Sequence, residues 1–500
     1  MNSPAPWRAL TLLALPALVV AMDQNVLFLA LPTLTADLGA SAVEQLWISD
    51  IYGLMVAVFL IPFGALGDRI GRRRLLLAGS AGFAVFSLVA AVAPRVEVLI
   101  AARALLGIAG ATIAPASLAL IVTLFPAPDE RARAIGVWMG CFMVGIALGP
   151  SLGGLLLDHF WWGAVFLPGV LVMLTVLVGA RRALPESEVS ADARIDIAGA
   201  LLLATVMLSL FFGLKSAVLS SDTGGGPAVA GLALSAVALL VFVRRSRRQV
   251  RPLVDLSLFA QRRFAAAVGL MTICAALIGG THFYFAQYLQ LAAGLSPLQA
   301  GLVMIVPAVA FGLGCGLGPM AARWLTPAQT LAAGLLVAAG GFAVLAAAAD
   351  GGGVLPTVLG FSLAYLGFGP GAALGTDIIV GTAPSREAGT SSAISETGTE
   401  LGQALGIAAL GSIGTVLYRG HLTPYSGTLD AAQTDAVRQG VMETIQHVPG
   451  LAEAAHAAFA HSFSLIAAGS AVITLVLAAI SIPLLRPSAL AGAREPTPGI

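Results

Sequence analysis

The sequence predicts an all-α integral membrane protein whose chain crosses the bilayer fourteen times. Hydrophobic residues make up 58% of the 500 residues and charged residues only 10%, against about 25% charged residues in a typical soluble domain. The apolar residues occur in long runs, and the basic residues collect in alternate gaps between these runs. A water-soluble fold of this size would need more charge.

Each predicted span is an apolar run long enough to cross the bilayer as a helix. At 1.5 Å per residue, about 20 residues cross the roughly 30 Å of hydrocarbon. The start of the first run resembles a secretory signal, but its apolar character resumes beyond Asp23 and reaches Leu31, so we expect an uncleaved helix. In chain order the fourteen spans cover residues 8–31, 46–66, 75–93, 97–124, 134–157, 161–180, 195–215, 227–243, 264–288, 298–322, 328–349, 354–381, 392–418 and 461–485.

The basic residues test this count independently, because Lys and Arg collect in loops on the cytoplasmic side of a membrane. Most of the 26 basic residues fall at the termini or in one alternate set of gaps. Adding or removing one span would scramble this separation. We therefore expect an even number of spans, with both termini in the cytoplasm and the protein in a bacterial inner membrane. The exceptions are Arg95, Lys215, Arg419 and Arg438 on the opposite side of the membrane and Arg103 inside span four.

Two similar loops indicate an internal repeat. FPAPDERARAIG (125–136) joins spans four and five, and TAPSREAGTSSA (382–393) joins spans twelve and thirteen. Aligning them gives two six-helix halves with spans seven and eight inserted between them, an arrangement typical of secondary transporters; chance similarity between two loops of biased composition is the alternative. The predicted units are residues 1–181, the insertion 182–263, residues 264–486 with a long outer loop at 419–460, and a cytoplasmic tail at 487–500.

Asp23 and Arg103 are candidates for function because a charged side chain inside the membrane is expensive without a partner or a watery cavity. Asp23 lies about 12 Å and Arg103 about 9 Å from the outer ends of spans one and four, so an ion pair is feasible. A carboxyl in such a place can change its protonation as the cavity changes its exposure, which would suit proton coupling. A static ion pair that locks two helices together is the alternative.

Glu396 and Glu400 on span thirteen are four residues apart and share one helical face. Two such carboxylates repel each other unless one is protonated or a cation lies beside them. The pair therefore suits proton carriage or recognition of a cationic substrate, with purely structural hydrogen bonding as the alternative. Further candidate substrate-binding residues are Asp50, Tyr52, Trp138 and Phe285, although aromatic residues in spans also face lipid.

A charged loop and a glycine-rich span suggest a mechanism for conformational change. The loop between spans two and three reads Gly67-Asp68-Arg69-Ile70-Gly71-Arg72-Arg73-Arg74, where Gly71 permits a tight turn and the arginines can anchor to anionic headgroups. Topology anchoring alone would not explain the aspartate and the two glycines. In span five, small residues allow close helix packing and a bend; they include Gly149, Pro150, Gly153 and Gly154.

These segments together resemble the major facilitator superfamily, and within it the branch of fourteen-helix drug:proton antiporters. GALGDRIGRRR (64–74) is similar to the superfamily's loop signature, RALLGIAGATIAP (103–115) to its fourth-helix motif and GIALGPSLGG (145–154) to the fifth-helix antiporter motif. MDQNVLFLALP (22–32) and WISDIYGLM (47–55) resemble the fourteen-helix branch. The resemblance covers nearly the whole chain and implies the major facilitator fold.

Carried over to this sequence, the resemblance implies roles for the candidate residues. Asp23, Arg103 and Glu400 would serve proton coupling, and Glu396 with Glu400 would recognise cations. The 67–74 loop and the residues Gly149, Pro150, Gly153 and Gly154 would gate the conformational change. Members of the branch that accept dications carry an acidic residue in span ten, where this chain is apolar around Phe311, and a second acid next to Glu396, where it has Ser395. We therefore expect monocationic rather than dicationic substrates.

The sequence thus predicts a proton-coupled exporter of lipophilic cations, and not an enzyme. We expect a monomer in the lipid bilayer, with small molecules and protons as its partners, no nucleic acid, no cofactor and no metal site. The three cysteines lie within apolar runs, which argues against a disulfide framework. An exporter of a single antibiotic or metabolite, and a nutrient importer of the same superfamily, are the alternatives; the antiporter motif disfavours the importer. A membrane sensor would need a soluble domain that we do not find.

Overall fold

The computed structural model describes residues 4–185, 196–219, 225–249, 256–349, 351, 353–382 and 388–485. Within these ranges fourteen helical segments are long and apolar enough to cross a membrane, which confirms the predicted number of spans. The tail at 487–500 lies outside the described residues. The helices are α1 (Pro4–Leu38), α2 (Ala42–Ile70), α3 (Arg72–Ala91), α4 (Val96–Gly110), α5 (Ile113–Leu124), α6 (Pro128–His159), α7 (Leu167–Ala183), α8 (Ile197–Leu219), α9 (Gly226–Arg248), α10 (Arg262–Leu291), α11 (Pro297–Val303), α12 (Ile305–Ala321), α13 (Pro327–Ala349), α14 (Val354–Thr382), α15 (Ala388–Leu422), α16 (Ala431–Gln439), α17 (Val441–His447) and α18 (Ala452–Leu485).

Two spans consist of two helices each. Span four is interrupted between α4 and α5, and span ten between α11 and α12. Each interruption lies shortly before a proline, Pro115 or Pro307. A proline has no N–H to donate to the carbonyl four residues earlier and crowds that carbonyl, so it disrupts the helix at this point.

The transmembrane helices form two six-helix halves that repeat one packing pattern. In the first half α1 packs against α6, α2 against α4, and α3 against α7. In the second half the corresponding pairs are α10 with α15, α12 with α14, and α13 with α18. The inserted helices α8 and α9 pack against each other, and α8 also contacts α2 and α15. The fold is therefore two six-helix halves plus two inserted helices.

Glycines bring the helices of the equivalent pairs α1–α6 and α10–α15 close together. A β-carbon at Gly145 or Gly149 would meet the backbone carbonyl of Leu18 or Met22 on α1. A β-carbon at Gly402 or Gly406 would likewise meet a backbone carbonyl of α10. Because a backbone atom cannot move aside as a flexible side chain can, these positions require small residues.

The two halves contact each other towards one side of the membrane. We call the side that carries Arg72, Arg131 and Arg181 the arginine-rich side, and the other the arginine-poor side. In the halves of the helices nearer the arginine-poor side, a β-carbon at Gly411 of α15 would meet Leu46 of α2. The side-chain amide of Gln290 on α10 donates to the carbonyl of Leu29 on α1, at 3.0 Å.

The long loop between α15 and α18 contains helical structure. The sequence predicts a helical stretch from Asp430 to His447, and α16 and α17 occupy this stretch with Gly440 between them. Asp430 caps α16 by accepting a hydrogen bond from the backbone N–H of Gln433. Gly440 has a φ of 146°, a conformation that favours glycine, so the stretch folds as two short helices.

Candidate functional site

Charged and polar side chains from both halves line one cavity within the membrane-spanning region. It lies among α1, α2, α4 and α15, and it brings together three of the charged residues that the sequence places inside spans: Asp50, Arg103 and Glu400. Its lining residues are Gln24, Asn25, Phe28, Ser49, Asp50, Tyr52, Gly53, Arg103, Glu400, Gln403, Ala404 and Ile407.

Asp23 and Arg103 form a buried ion pair beside this cavity. Nη1 of Arg103 lies 2.5 Å from Oδ2 of Asp23, and the two side chains are 1% and 5% exposed. The guanidinium also lies over the ring of Tyr52, 4.7 Å from its centroid, and its Nε donates to the carbonyl of Ile48 at 3.4 Å. The predicted ion pair is therefore present, and it connects α1, α2 and α4. Its role in proton coupling stays a prediction.

Glycines on α4 allow Tyr52 to approach the pair. A β-carbon at Gly107 would meet the backbone carbonyl of Tyr52, and one at Gly110 would lie 2.8 Å from its hydroxyl oxygen. Both glycines belong to the RALLGIAGATIAP segment that begins with Arg103. This segment therefore supplies the charge and also the space in which α2 packs against it.

Glu400 on α15 reaches across to the other half of the molecule. Its carboxylate accepts hydrogen bonds from Nε2 of Gln24 at 3.3 and 3.2 Å. A β-carbon at Gly53 would lie 3.3 Å from Oε2 of Glu400, so α2 is also close. Glu400 is buried, and among the described side chains it has no basic partner within ion-pair distance. Among the described side chains, the Glu400 carboxylate is therefore hydrogen-bonded to a neutral amide and forms no ion pair.

Glu396 lies one helical turn from Glu400, nearer the arginine-rich side, as the spacing on α15 predicts. Its side chain is exposed, whereas Glu400 is buried. The two acids therefore differ in environment although they share one face of the helix. Ser395, which stands where a second acid is expected from the resemblance, is buried.

Asp50 forms a second buried ion pair, with Lys215 near the outer end of the predicted span seven. Nζ of Lys215 lies 3.0 Å from Oδ1 and 2.9 Å from Oδ2 of Asp50. Lys215 belongs to α8, as the predicted span 195–215 implies, but its side chain is only 2% exposed, so it does not lie free at the membrane surface. The aspartate predicted to bind substrate is already neutralised by the chain's own amine.

Two aromatic residues predicted to bind substrate lie away from this cavity. Phe285 is fully buried and stacks on Phe361 with ring centroids 4.0 Å apart. Trp138 is buried and stacks on Phe142 at 6.2 Å, in a cluster of apolar residues that includes Leu10. Tight packing within each half holds both rings, and neither lines this cavity; their role in substrate binding stays a prediction. Tyr52 does line the cavity.

The 67–74 loop makes a turn between α2 and α3. Gly71 has a φ of 100°, a conformation that side chains rarely adopt, which confirms the predicted tight turn. Arg72 donates to the carbonyl of Gly64 at 3.1 Å, and Arg73 to the carbonyl of Leu184 beyond α7 at 3.0 Å. The side chain of Asp68 lies outside the described part of the structure. The loop thus connects α2 to the ends of neighbouring helices.

The small residues of α6 contact two different helices. Gly149 and Gly153 face α1, where a β-carbon would meet Met22 or Val26. Pro150 and Gly154 face α11 of the other half instead: a β-carbon at Gly154 would meet the backbone of Pro297, and one at Gly301 the carbonyl of Pro150. The hydroxyl of Ser151 also donates to the carbonyl of Gly301, at 3.1 Å. The antiporter-type segment therefore forms part of the contact between the halves.

The sequence matches the Major Facilitator Superfamily over residues 13–407. It is 39% identical to the multidrug efflux pump LfrA of Mycolicibacterium smegmatis, over 95% of each chain. It is 35% identical to the methyl viologen resistance protein SmvA of Salmonella typhimurium, covering 94% of this chain and 97% of that one. It is 31% identical to a tetracenomycin C resistance and export protein of Streptomyces glaucescens, covering 95% and 91%.

Solved structures agree in fold. The crystal structure of a bacterial homolog to the human lysosomal transporter Spinster, in an inward-facing and unoccupied conformation, superimposes with a TM-score of 0.70 and 15% sequence identity. The match covers 97% of this chain and 98% of the other. Fold, sequence family and relatives agree that this is a multi-pass transport protein rather than an enzyme. The chain belongs to the major facilitator superfamily.

Proposed function

We propose that this protein is a proton-coupled exporter of lipophilic monovalent cations, such as quaternary ammonium compounds, antiseptics and dyes. The observation that carries the proposal is Glu400. This carboxylate is buried in the central cavity with the amide of Gln24 as its hydrogen-bond donor, and no described basic side chain compensates its charge. A buried carboxylate without a partner is costly, so a proton or a cation has to occupy it.

The charges of the cavity support exchange of one proton for one positive charge. Asp23 is compensated by Arg103, and Asp50 by Lys215. With Glu400 ionised, the residues that line the cavity and their ion-pair partners carry one net negative charge; Glu396, one helical turn away, is not among the lining residues. A proton and a monovalent cation would compensate that charge equally, so the two compete for the site. Binding of the drug then releases the proton, which is the elementary step of antiport.

The side to which the described conformation opens follows from the assignment of the arginine-rich side to the cytoplasm. On that assignment both termini are cytoplasmic, and the halves contact each other towards the outer side. We place the protein in a bacterial inner membrane. The described conformation would then open inward and accept substrate from the cytoplasm or the inner leaflet. The 67–74 loop and the contact of α6 with α11 would control the transition to an outward-open conformation. The ion pair of Asp23 and Arg103 would couple this transition to protonation.

The relatives support export of drugs in particular. LfrA is named a multidrug efflux pump and SmvA a methyl viologen resistance protein. We propose that the present chain works as a monomer in the bilayer, with protons as its coupling ion and without a cofactor or nucleic acid.

Export of a single antibiotic is the second candidate function. It is favoured by the similarity to the tetracenomycin C resistance and export protein, which aligns over nearly the whole chain. A specific exporter would transport one compound and discriminate against unrelated cations. A multidrug exporter would transport ethidium and several quaternary ammonium compounds at comparable rates.

Everted membrane vesicles that contain the full-length protein test the proposal. After a proton gradient is established, ethidium or tetraphenylphosphonium is added and the lumenal pH is followed with a pH-sensitive dye. We expect each addition to release protons from the lumen while the drug accumulates there. Drug accumulation without proton movement would contradict antiport, and accumulation of only one compound from a panel would favour the single-antibiotic exporter.

A further inference from the structure

Lys215 is the only lysine among the 26 basic residues of the chain, and it lies inside the inserted helix α8. Its Nζ contacts both carboxylate oxygens of Asp50, at 3.0 and 2.9 Å. The same nitrogen lies 3.8 Å from the centroid of the Trp47 ring. A basic residue that only marked topology would lie at the membrane surface, so this position calls for another explanation.

A carboxylate next to the face of a tryptophan ring is a combination of groups that binds organic cations. The carboxylate supplies the charge, and the ring supplies an electrostatic attraction that is strongest for tryptophan. Here Asp50 and Trp47, both on α2, surround an ammonium group in this way. The site is therefore a cation site filled by the chain's own side chain.

This occupied cation site is continuous with the central cavity. Asp50 lines the cavity together with Glu400. Gly53, three residues after Asp50 on the same helix, would bring a β-carbon within 3.3 Å of Oε2 of Glu400. Since three residues of helix rise by about 4.5 Å, Asp50 and Glu400 lie about one helical turn apart along α2. Without Lys215 the cavity lining would contain two carboxylates without a described basic partner, Asp50 and Glu400; Glu396 does not line the cavity.

The packing of α8 holds the amine in place. Met207 and Phe211 of α8 belong to one apolar cluster with Leu54 of α2 and Ala408 of α15. The inserted helix thus rests on both halves of the transporter beside the cavity. Its lysine enters from outside the two six-helix halves, which gives the insertion a function within the substrate site.

We propose that Lys215 limits the number of positive charges that a bound substrate can carry. Its ion pair with Asp50 makes this carboxylate inaccessible to a ligand, so that the cavity accepts monocations and excludes dications. This inference rests on the proposed function in that it takes the substrate to be a cation. It makes Lys215 a specificity-determining residue. Replacement of Lys215 by a neutral residue should open a second anionic position for the second charge of a dication.

Equilibrium binding to the purified full-length protein in lipid nanodiscs tests the proposal. The probes are tetraphenylphosphonium, a monocation, and methyl viologen, a dication. In Lys215→Met we expect the affinity for methyl viologen relative to tetraphenylphosphonium to rise about tenfold or more, because an uncompensated carboxylate close to the second charge attracts it strongly at low dielectric constant. Lys215→Arg, which keeps the charge, should keep the ratio of the wild type.

The double variant Asp50→Asn with Lys215→Met is the matched control. It removes both charges, leaves no buried charge unpaired, and should return the ratio to that of the wild type. If Lys215 only fastens α8 to α2, the single and double variants will give the same ratio, and this outcome would overturn the proposal. If Lys215→Met does not yield folded protein, Lys215→Gln, whose amide can still donate to Asp50, replaces it with the same expectation.

The binding ratio separates this inference from the proposed function. A wild-type protein that exports no cation in vesicles would contradict the proposed function. The change of the ratio on removal of Lys215 would still decide whether that residue limits the charge of the ligand. An unchanged ratio in a folded Lys215→Met protein would overturn the inference even if wild-type export is fully proton-coupled.

Discussion

The two halves of the molecule contribute carboxylates of different kinds to one cavity. In the first half Asp23 and Asp50 are each paired with a base, Arg103 or Lys215. In the second half Glu400 accepts hydrogen bonds from the neutral amide of Gln24 and has no basic partner among the described side chains. The comparison teaches that the described acids of the first half are compensated by bases, whereas Glu400 of the second half is not; on the proposed function, a proton or a drug compensates the charge of Glu400.

The same type of substitution should therefore have different consequences in the two halves. Neutralising a member of an ion pair leaves its partner charged and buried, which costs about 3–5 kcal/mol in proteins. Neutralising Glu400 leaves no described basic side chain without a partner. Loss of function at Asp23 should thus come with loss of stability, and loss of function at Glu400 should not.

The largest effect is expected for Asp23→Asn. It leaves Arg103 buried without a counter-ion, and it removes the carboxyl that we assign to proton coupling. We expect coupled export to be abolished and the thermal midpoint of the purified protein, measured by fluorescence-detected size-exclusion chromatography, to fall. Drug resistance at the wild-type level with normal expression would remove Asp23 from the mechanism.

A matched double variant separates the two contributions of Asp23. Asp23→Asn combined with Arg103→Gln removes both charges and should recover most of the thermal stability, because no charge remains buried alone. Proton-coupled export should stay absent. Recovery of export in this variant would show that the pair is a static lock between α1 and α4.

A smaller effect is expected where the halves meet. A β-carbon at Gly154 would collide with the backbone of Pro297 on α11, whereas one at Gly140 on the same helix would meet nothing within 4 Å. Overpacking of this kind costs about 1–3 kcal/mol, so Gly154→Ala should shift the molecule away from the described conformation by about tenfold and slow export. Gly140→Ala is the control and should export normally.

Spin labels near the arginine-poor ends of α6 and α11 provide the readout for this comparison. The distance between them should lengthen in Gly154→Ala and stay as in the wild type in Gly140→Ala. Equal distances in both variants would contradict the view that this contact has to form and open during transport.

The number of spans could be predicted from the sequence because its determinants are local. Each span needs about 20 apolar residues, and the arginines between spans report the side of the membrane. The helix interruptions before Pro115 and Pro307 could in principle be predicted from these two prolines. They were missed because both prolines lie within continuous apolar segments. The start of α18 at Ala452, rather than at 461, was missed because the segment before Phe463 mixes apolar residues with histidines.

The site could be predicted only in part, because it depends on which helix faces each side chain. Asp23 and Arg103 have similar depths in their spans, and that was enough to expect their ion pair. Lys215 ends the apolar run of span seven, so the sequence predicts a position near the outer membrane surface and not a buried ion pair. The one available signal was that it is the sole lysine of the chain. Phe285 and Trp138 were predicted to bind substrate because they are aromatic. In the structure both rings pack in the apolar cores of their own halves, which depends on tertiary contacts that the sequence does not show.

The central claim is that Glu400 is the carboxylate whose charge the substrate compensates, and the selectivity of Glu400→Gln tests it most directly. Export of tetraphenylphosphonium and of a neutral lipophilic substrate is measured side by side in vesicles with equal amounts of protein, with Glu396→Gln for comparison. We predict that Glu400→Gln lowers export of the cation at least about fivefold more than export of the neutral compound. Its thermal stability should stay near that of the wild type. Glu396→Gln should reduce export of the cation relative to the neutral compound by a smaller factor. Equal losses for the cation and the neutral compound in Glu400→Gln would contradict the account and leave this residue with a role in proton transfer alone.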